Sequence, residues 1–141
     1  MNEWSLAAAT KAKPVNFNAM TEKLMRKSGW EVELTQSYNA TLQLSKDLWG
    51  FADLLAFMPD GPSVLVQACG SSDRTKRLRK ILNSAVARKW IRVPHRFIWL
   101  VHWSKRTKKG KRVGEWISRI QIIEEVDFLE HLQQLRGERC R

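Results

Sequence analysis

Acidic residues are the scarce charged class in this chain. Fourteen Asp and Glu stand against twenty-five Lys and Arg, leaving a formal net charge of +11. Such a deficit speaks to partners rather than to fold: nucleic acid first, an anionic membrane surface second. Cysteine is nearly absent. Cys69 and Cys140 make neither a disulfide framework nor a zinc pattern. The start, Met1-Asn2-Glu3-Trp4, lacks the basic-then-apolar layout of a secretory leader, so the expected setting is reducing and cytoplasmic. Runs long enough to span a bilayer are missing; Phe97 to Trp103 is only strand-sized. His95, His102 and His131 share no metal-ligand spacing, and no Ser-His-Asp arrangement, Gly-rich phosphate loop or nucleotide fingerprint is visible.

What is present is enough apolar content, 43%, for one globular core, together with seven Trp. Most of those Trp are expected as core or interface fillers, with a few free to stack on bases. Residues 1–15 read as an N-terminal arm ending at Lys13-Pro14, and 16–141 as a single domain. Asn16 or Asn18 caps a first helix carrying Phe17, Met20, Leu24 and Met25, and Gly29 stops it. Trp30, Val32 and Leu34 alternate with Glu31 and Glu33 as a half-buried strand. Ser37 to Lys46 is a polar connection with a short extended piece at Leu42-Leu44. After Gly70, Ser71-Ser72-Asp73 offers cap chemistry for a second helix striped by Leu78, Ile81, Leu82, Ala85, Val86 and Trp90. Pro94 ends it. Phe97 to Val101 reads as a central strand buried on both faces, Ser104 to Val113 as a basic turn, and Trp116 to Ile123 as the return strand. Val126, Leu129, Leu132 and Leu135 suit a closing helix. The expected order is α-β-β-β-α-β-β-α, an α/β fold with a central mixed β-sheet flanked by helices.

The most informative stretch runs from Gly50 to Cys69. Two apolar segments, Phe51 to Phe57 and Val64 to Cys69, are joined at Pro59-Asp60-Gly61-Pro62. Each holds a polar residue that burial does not explain: Asp53 on the first, Gln67 on the second. Alternation puts Asp53 on one face with Phe51, Leu55 and Phe57, and Gln67 with Leu65 and Cys69. Paired as a hairpin, the two approach each other at one end of the sheet. Mg²⁺ or Mn²⁺ takes such oxygen donors, with water and a substrate phosphate completing the set.

These residues resemble the PD-(D/E)XK nuclease superfamily, with archaeal and phage Holliday-junction resolvases as its nearest-looking small members. In that family an Asp opens the second strand, an acid or Gln, any residue and Lys lie on the third, and a basic helix follows. Gly50-Phe51-Ala52-Asp53 matches the first part and Gln67-Ala68-Cys69 occupies the second; the resemblance covers roughly residues 16 to 103. It implies a restriction-endonuclease-like core and a Mg²⁺- or Mn²⁺-dependent endonuclease acting on DNA, with Asp53 and Gln67 as metal ligands and a homodimer as the working form. Two departures stand out. Gln67 removes a negative charge, and Cys69 stands where the family has Lys. A thiol cannot supply that ammonium. Lys76, Lys80 or Arg77 of the second helix is then the replacement, Lys80 being the catalytic assignment, or the chain has kept binding and lost chemistry. Glu22, where the family often places a first-helix acid, has the wrong phase. Asp47 is either an added acid or a loop charge.

Two basic surfaces are candidate phosphate contacts. One is Arg74, Lys76, Arg77, Arg79 and Lys80, at the end of the second helix where positive charge opposes the helix dipole. The other is Lys105, Arg106, Lys108, Lys109, Lys111 and Arg112, six cations in eight residues. The alternatives to a nuclease are a catalytically silent nucleic-acid-binding protein of the same fold and an RNA-binding domain using exposed Trp as a stacking platform.

Overall fold

The computed structural model describes residues 15–139 apart from Gln36, Ala40, Leu42, Gln43, Lys109 and Gly110. Almost all of the proposed 1–15 arm lies outside the described residues. Chain order begins with α1 (Phe17–Lys27), β1 (Glu31–Leu34), β2 (Ser37–Asn39), β3 (Leu44–Lys46), β4 (Leu54–Phe57) and β5 (Ser63–Gly70). A 3₁₀ turn (Ser71–Asp73) leads into α2 (Arg74–Leu82) and α3 (Ala85–Ile91), followed by β6 (Arg96–Lys108), β7 (Lys111–Ile123) and α4 (Glu125–Arg139).

Asn16 starts α1, its Oδ1 accepting from the Ala19 amide at 3.0 Å. The chain then folds into an open five-stranded sheet of order β1-β4-β5-β6-β7. β1, β4 and β5 form an antiparallel meander, β5 and β6 pair in parallel, and β7 returns antiparallel to β6. The parallel step needs a crossover, which the 3₁₀ turn, α2 and α3 supply. α1 covers one face, where Phe17, Met20, Leu24 and Met25 meet Leu54, Val64, Val66, Val101 and Trp103. The other helices cover the opposite face, where Ile81, Ala87 and Phe128 meet Leu65, Cys69, Ile98 and Leu100. The mixed α/β architecture therefore follows the sequence expectation, with a small β2–β3 hairpin inserted between the first and second strands of the sheet.

Several local expectations are corrected. The second helix is two helices. Asn83 and Ser84 interrupt it, and Ser84 restarts it by accepting from the Ala87 amide at 3.1 Å. Ala87 is buried there, while Ala85 and Val86 face out. Ser71–Asp73 forms a 3₁₀ turn, and Asp73 precedes α2 without a side-chain cap bond. The polar connection is the β2–β3 hairpin, with Leu42 outside the described residues. The basic turn is mostly strand, because β6 and β7 keep pairing out to Lys108 and Lys111 across a bulge. Along β6, Ile98, Leu100 and Val101 are buried, but Phe97 is 40% exposed at the strand's entry. On α4 the buried anchor is Phe128, while Val126 and Leu129 are exposed.

Candidate metal and nucleic-acid site

A tight loop builds the site. Leu48 and Ala52 form an antiparallel bridge, with Leu48 N to Ala52 O at 2.9 Å and Ala52 N to Leu48 O at 3.0 Å. Trp49 and Gly50 turn the chain with φ of 51° and 78°, a conformation that glycine adopts without steric cost. Asp47 and Asp53 flank this bridge and so become cross-strand neighbours. The Asp53 amide donates to Val66 O at 2.8 Å, extending the β4–β5 ladder by one step and setting Asp53 opposite Gln67. Asp53 thus stands between an acid and an amide.

Its carboxylate is buried, 3% exposed. Oδ2 accepts from Gln67 Nε2 at 2.5 Å and from the Ala68 amide at 3.2 Å, and Asp47 shares a hydrogen bond with it. Burial, then the Asp47 charge, pushes the Asp53 pKa up to about 7, against the opposing pull of the Ala68 N–H and Lys80. Lys80 Nζ reaches across from α2 to Asp47 Oδ2 at 2.8 Å. Asp53, Gln67, Asp47 and Lys80 therefore form one connected cluster, with Asp47 the member that sequence reading left open. A signal was present: Asp47 and Asp53 lie symmetrically about Gly50.

The donor set suits a hard divalent cation. Gln67 Oε1 is buried without a hydrogen-bond partner while the same amide's Nε2 donates to Asp53, and a buried orphan acceptor is costly unless something electropositive meets it. Mg²⁺ commonly takes only one or two carboxylates, so the finding that no group of three or more His, Cys, Asp or Glu exists among the described residues does not conflict.

Cys69 lies two residues past Gln67 on the same face and is buried. Burial outweighs the nearby Arg77 guanidinium and pushes the thiol up to about 11, so it stays protonated at neutral pH. Arg77 Nε is also buried without a partner. Glu22 is remote, pairing with Arg26 at 3.1 Å on α1, across the sheet.

The basic residues of α2 diverge. Lys80 enters the cluster, Arg74 donates to Gln121 Oε1 at 2.8 Å, Arg77 is half-buried, and Lys76 and Arg79 face solvent. Lys105 and Arg106 are exposed on β6; Lys108, Lys111 and Arg112 belong to the strand ends, and Lys109 lies outside the described residues. The histidines sit apart. His102 Nδ1 meets Ser71 Oγ at 3.2 Å, His131 Nε2 meets Asn83 Oδ1 at 2.6 Å, and His95 is exposed. Among the described residues no helix is long and apolar enough to cross a membrane. Comparison with known proteins finds no matching family model, no matching curated protein and no matching solved structure.

Proposed function

We propose that this protein is a metal-dependent endonuclease acting on DNA, built on the PD-(D/E)XK plan and selective for branched or irregular structures. One observation carries the reading. Asp53 meets Gln67 and Asp47 at the end of a mixed sheet, with Lys80 beside them and the Gln67 carbonyl oxygen buried without a partner. Asp53, Gln67 and Asp47 would hold Mg²⁺ or Mn²⁺, which supplies an activated water and stabilises charge on the scissile phosphate. Asp53 must be ionised for this, and Lys80 helps by favouring its anion. Lys80 also places an ammonium in the cluster, the charge that protonated Cys69 cannot provide. Exposed Lys76, Arg79, Lys105 and Arg106 would grip the backbone. Cutting two strands needs two such sites, so we place the protein on DNA as a homodimer, in the cytoplasm.

The rival is a silent DNA-binding protein of the same fold, favoured by the buried thiol at position 69. Incubation with Mg²⁺ or Mn²⁺ and a panel of four-way junction, flap, single-stranded and duplex DNA plus RNA separates the two. Cutting of one class names the substrate. Tight binding without cutting across the panel selects the rival.

A further inference from the structure

A cleft of about 460 Å³ opens beside the carboxyl ends of β5 and β6, between the start of α1 and the outer half of the β6–β7 pair. Crevices at the carboxyl ends of parallel strands are the usual ligand sites of open α/β sheets. Its apolar wall is Phe17, Trp103 and Trp116, with the Phe17 ring edge-on to Trp116 at 5.4 Å. Its charged wall is Lys105, Arg106 and Arg119, opposed by one acid, Asp73. Among the described residues none of these three cations has an ion-pair partner, and Lys105 Nζ lies 5.2 Å from the Trp116 ring centre. Behind Trp116 a second hollow of about 270 Å³ is bordered by Met20, Lys23, Leu24 and Lys27. Trp116 thus stands half-buried between two recesses, each edged with positive charge.

A recessed aromatic flanked by unpaired cations suits a base with its phosphates. A base held in a duplex is stacked on its neighbours and does not reach a recess; an unpaired base does. We propose that this cleft binds an unpaired stretch of DNA, one base against Trp116 and its phosphates on Lys105, Arg106 and Arg119. Gly70, at the cleft's edge, lies three residues beyond Gln67, about 10 Å at the strand rise. A strand leaving the cleft would pass the end of β5 at Gly70 to reach Gln67, whose side chain is on the opposite face of the sheet from Trp103 and Trp116. The inference rests on the nucleic-acid reading of the carboxylate cluster, but not on cleavage.

The test is fluorescence anisotropy of a labelled 20-nucleotide single strand, its duplex and the matching RNA, in EDTA so that nothing is cut. The wild type should bind the single strand more tightly than the duplex. Trp116→Ala should weaken single-strand binding about tenfold and leave duplex binding nearly unchanged, while Trp116→Phe retains most of the affinity. Arg119→Glu, an exposed change that spares the core, should weaken it as well, which keeps the test open if Trp116→Ala does not fold. Single-strand affinity unchanged in both Trp116→Ala and Arg119→Glu would overturn the proposal, as would equal loss on single strand and duplex. Preference for RNA over DNA would overturn the assignment to DNA. The cleavage reading fails separately: if no substrate is cut but Trp116→Ala loses single-strand binding, the cleft stands and the nuclease falls.

Discussion

At Asp53, burial and the neighbouring Asp47 work against ionisation, while the Ala68 amide and Lys80 work for it; the first pair wins. Because the folded pKa is raised to about 7 from an ordinary 3.8, the folded chain keeps a proton that the unfolded chain has released between those values. This contribution to stability is full below about pH 3.8 and is lost as pH rises toward 7, on the order of a few kcal/mol in all. Asp53→Asn should remove that slope, so denaturant titrations at pH 5 and pH 8 should show the variant gaining on the wild type at the higher pH. Added Mg²⁺ should flatten the wild-type slope and leave the variant's alone. Gln67→Glu adds a third carboxylate beside Asp47 and Asp53. It should lower the melting temperature of the metal-free protein and tighten Mg²⁺ binding severalfold by calorimetry, because each added anion raises the site's charge. Unchanged affinity would remove Gln67 from the metal's surroundings.

The elements explain why the site is where it is, and how much of it was legible. Asp53 and Gln67 stood out because two polar residues interrupt apolar runs that otherwise read as buried strands. The strands of the sheet follow from that same apolar patterning, although β5 is buried on both faces and Leu34 and Phe57 are exposed. Asp47 stayed undecided between an added acid and a loop charge because its approach to Asp53 depends on a loop with left-handed Trp49 and Gly50, a pairing that no periodicity reports. The α2–α3 break escaped because the apolar stripe continues across Asn83-Ser84 although the helix does not. The reach of β6 and β7 escaped because charge looks like a turn when pairing partners are unseen. α1 is tied down by a contact equally invisible in sequence: the buried Trp103 Nε1–H donates to Thr21 Oγ1 at 3.0 Å. Thr21→Val should strand that donor and cost about 1–2 kcal/mol in urea unfolding. The β6–β7 pair supplies the densest charge. Changing Lys105, Arg106, Lys108 and Lys109 to Ala should weaken DNA binding alike for all sequences and flatten its salt dependence. An unchanged slope would clear these residues of phosphate contact.

Across the whole molecule, charge and carboxylates are segregated. A chain of net charge +11 keeps two of its acids, Asp47 and Asp53, together at one end of the sheet, with Lys80 of α2 beside them. Under the proposed function, the surplus of cations would draw in a polyanion and the two carboxylates would take up a divalent cation. The central proposal is that this cluster cuts DNA. Its most direct test is cleavage of four-way junction and flap DNA in Mg²⁺ or Mn²⁺ by wild type and Asp53→Ala side by side, with binding measured on the same preparations. The account predicts metal-dependent cutting by the wild type, loss of it by at least a hundredfold in Asp53→Ala, and similar DNA affinity for both. Cutting that survives in Asp53→Ala, or a wild type that binds and never cuts, would contradict it.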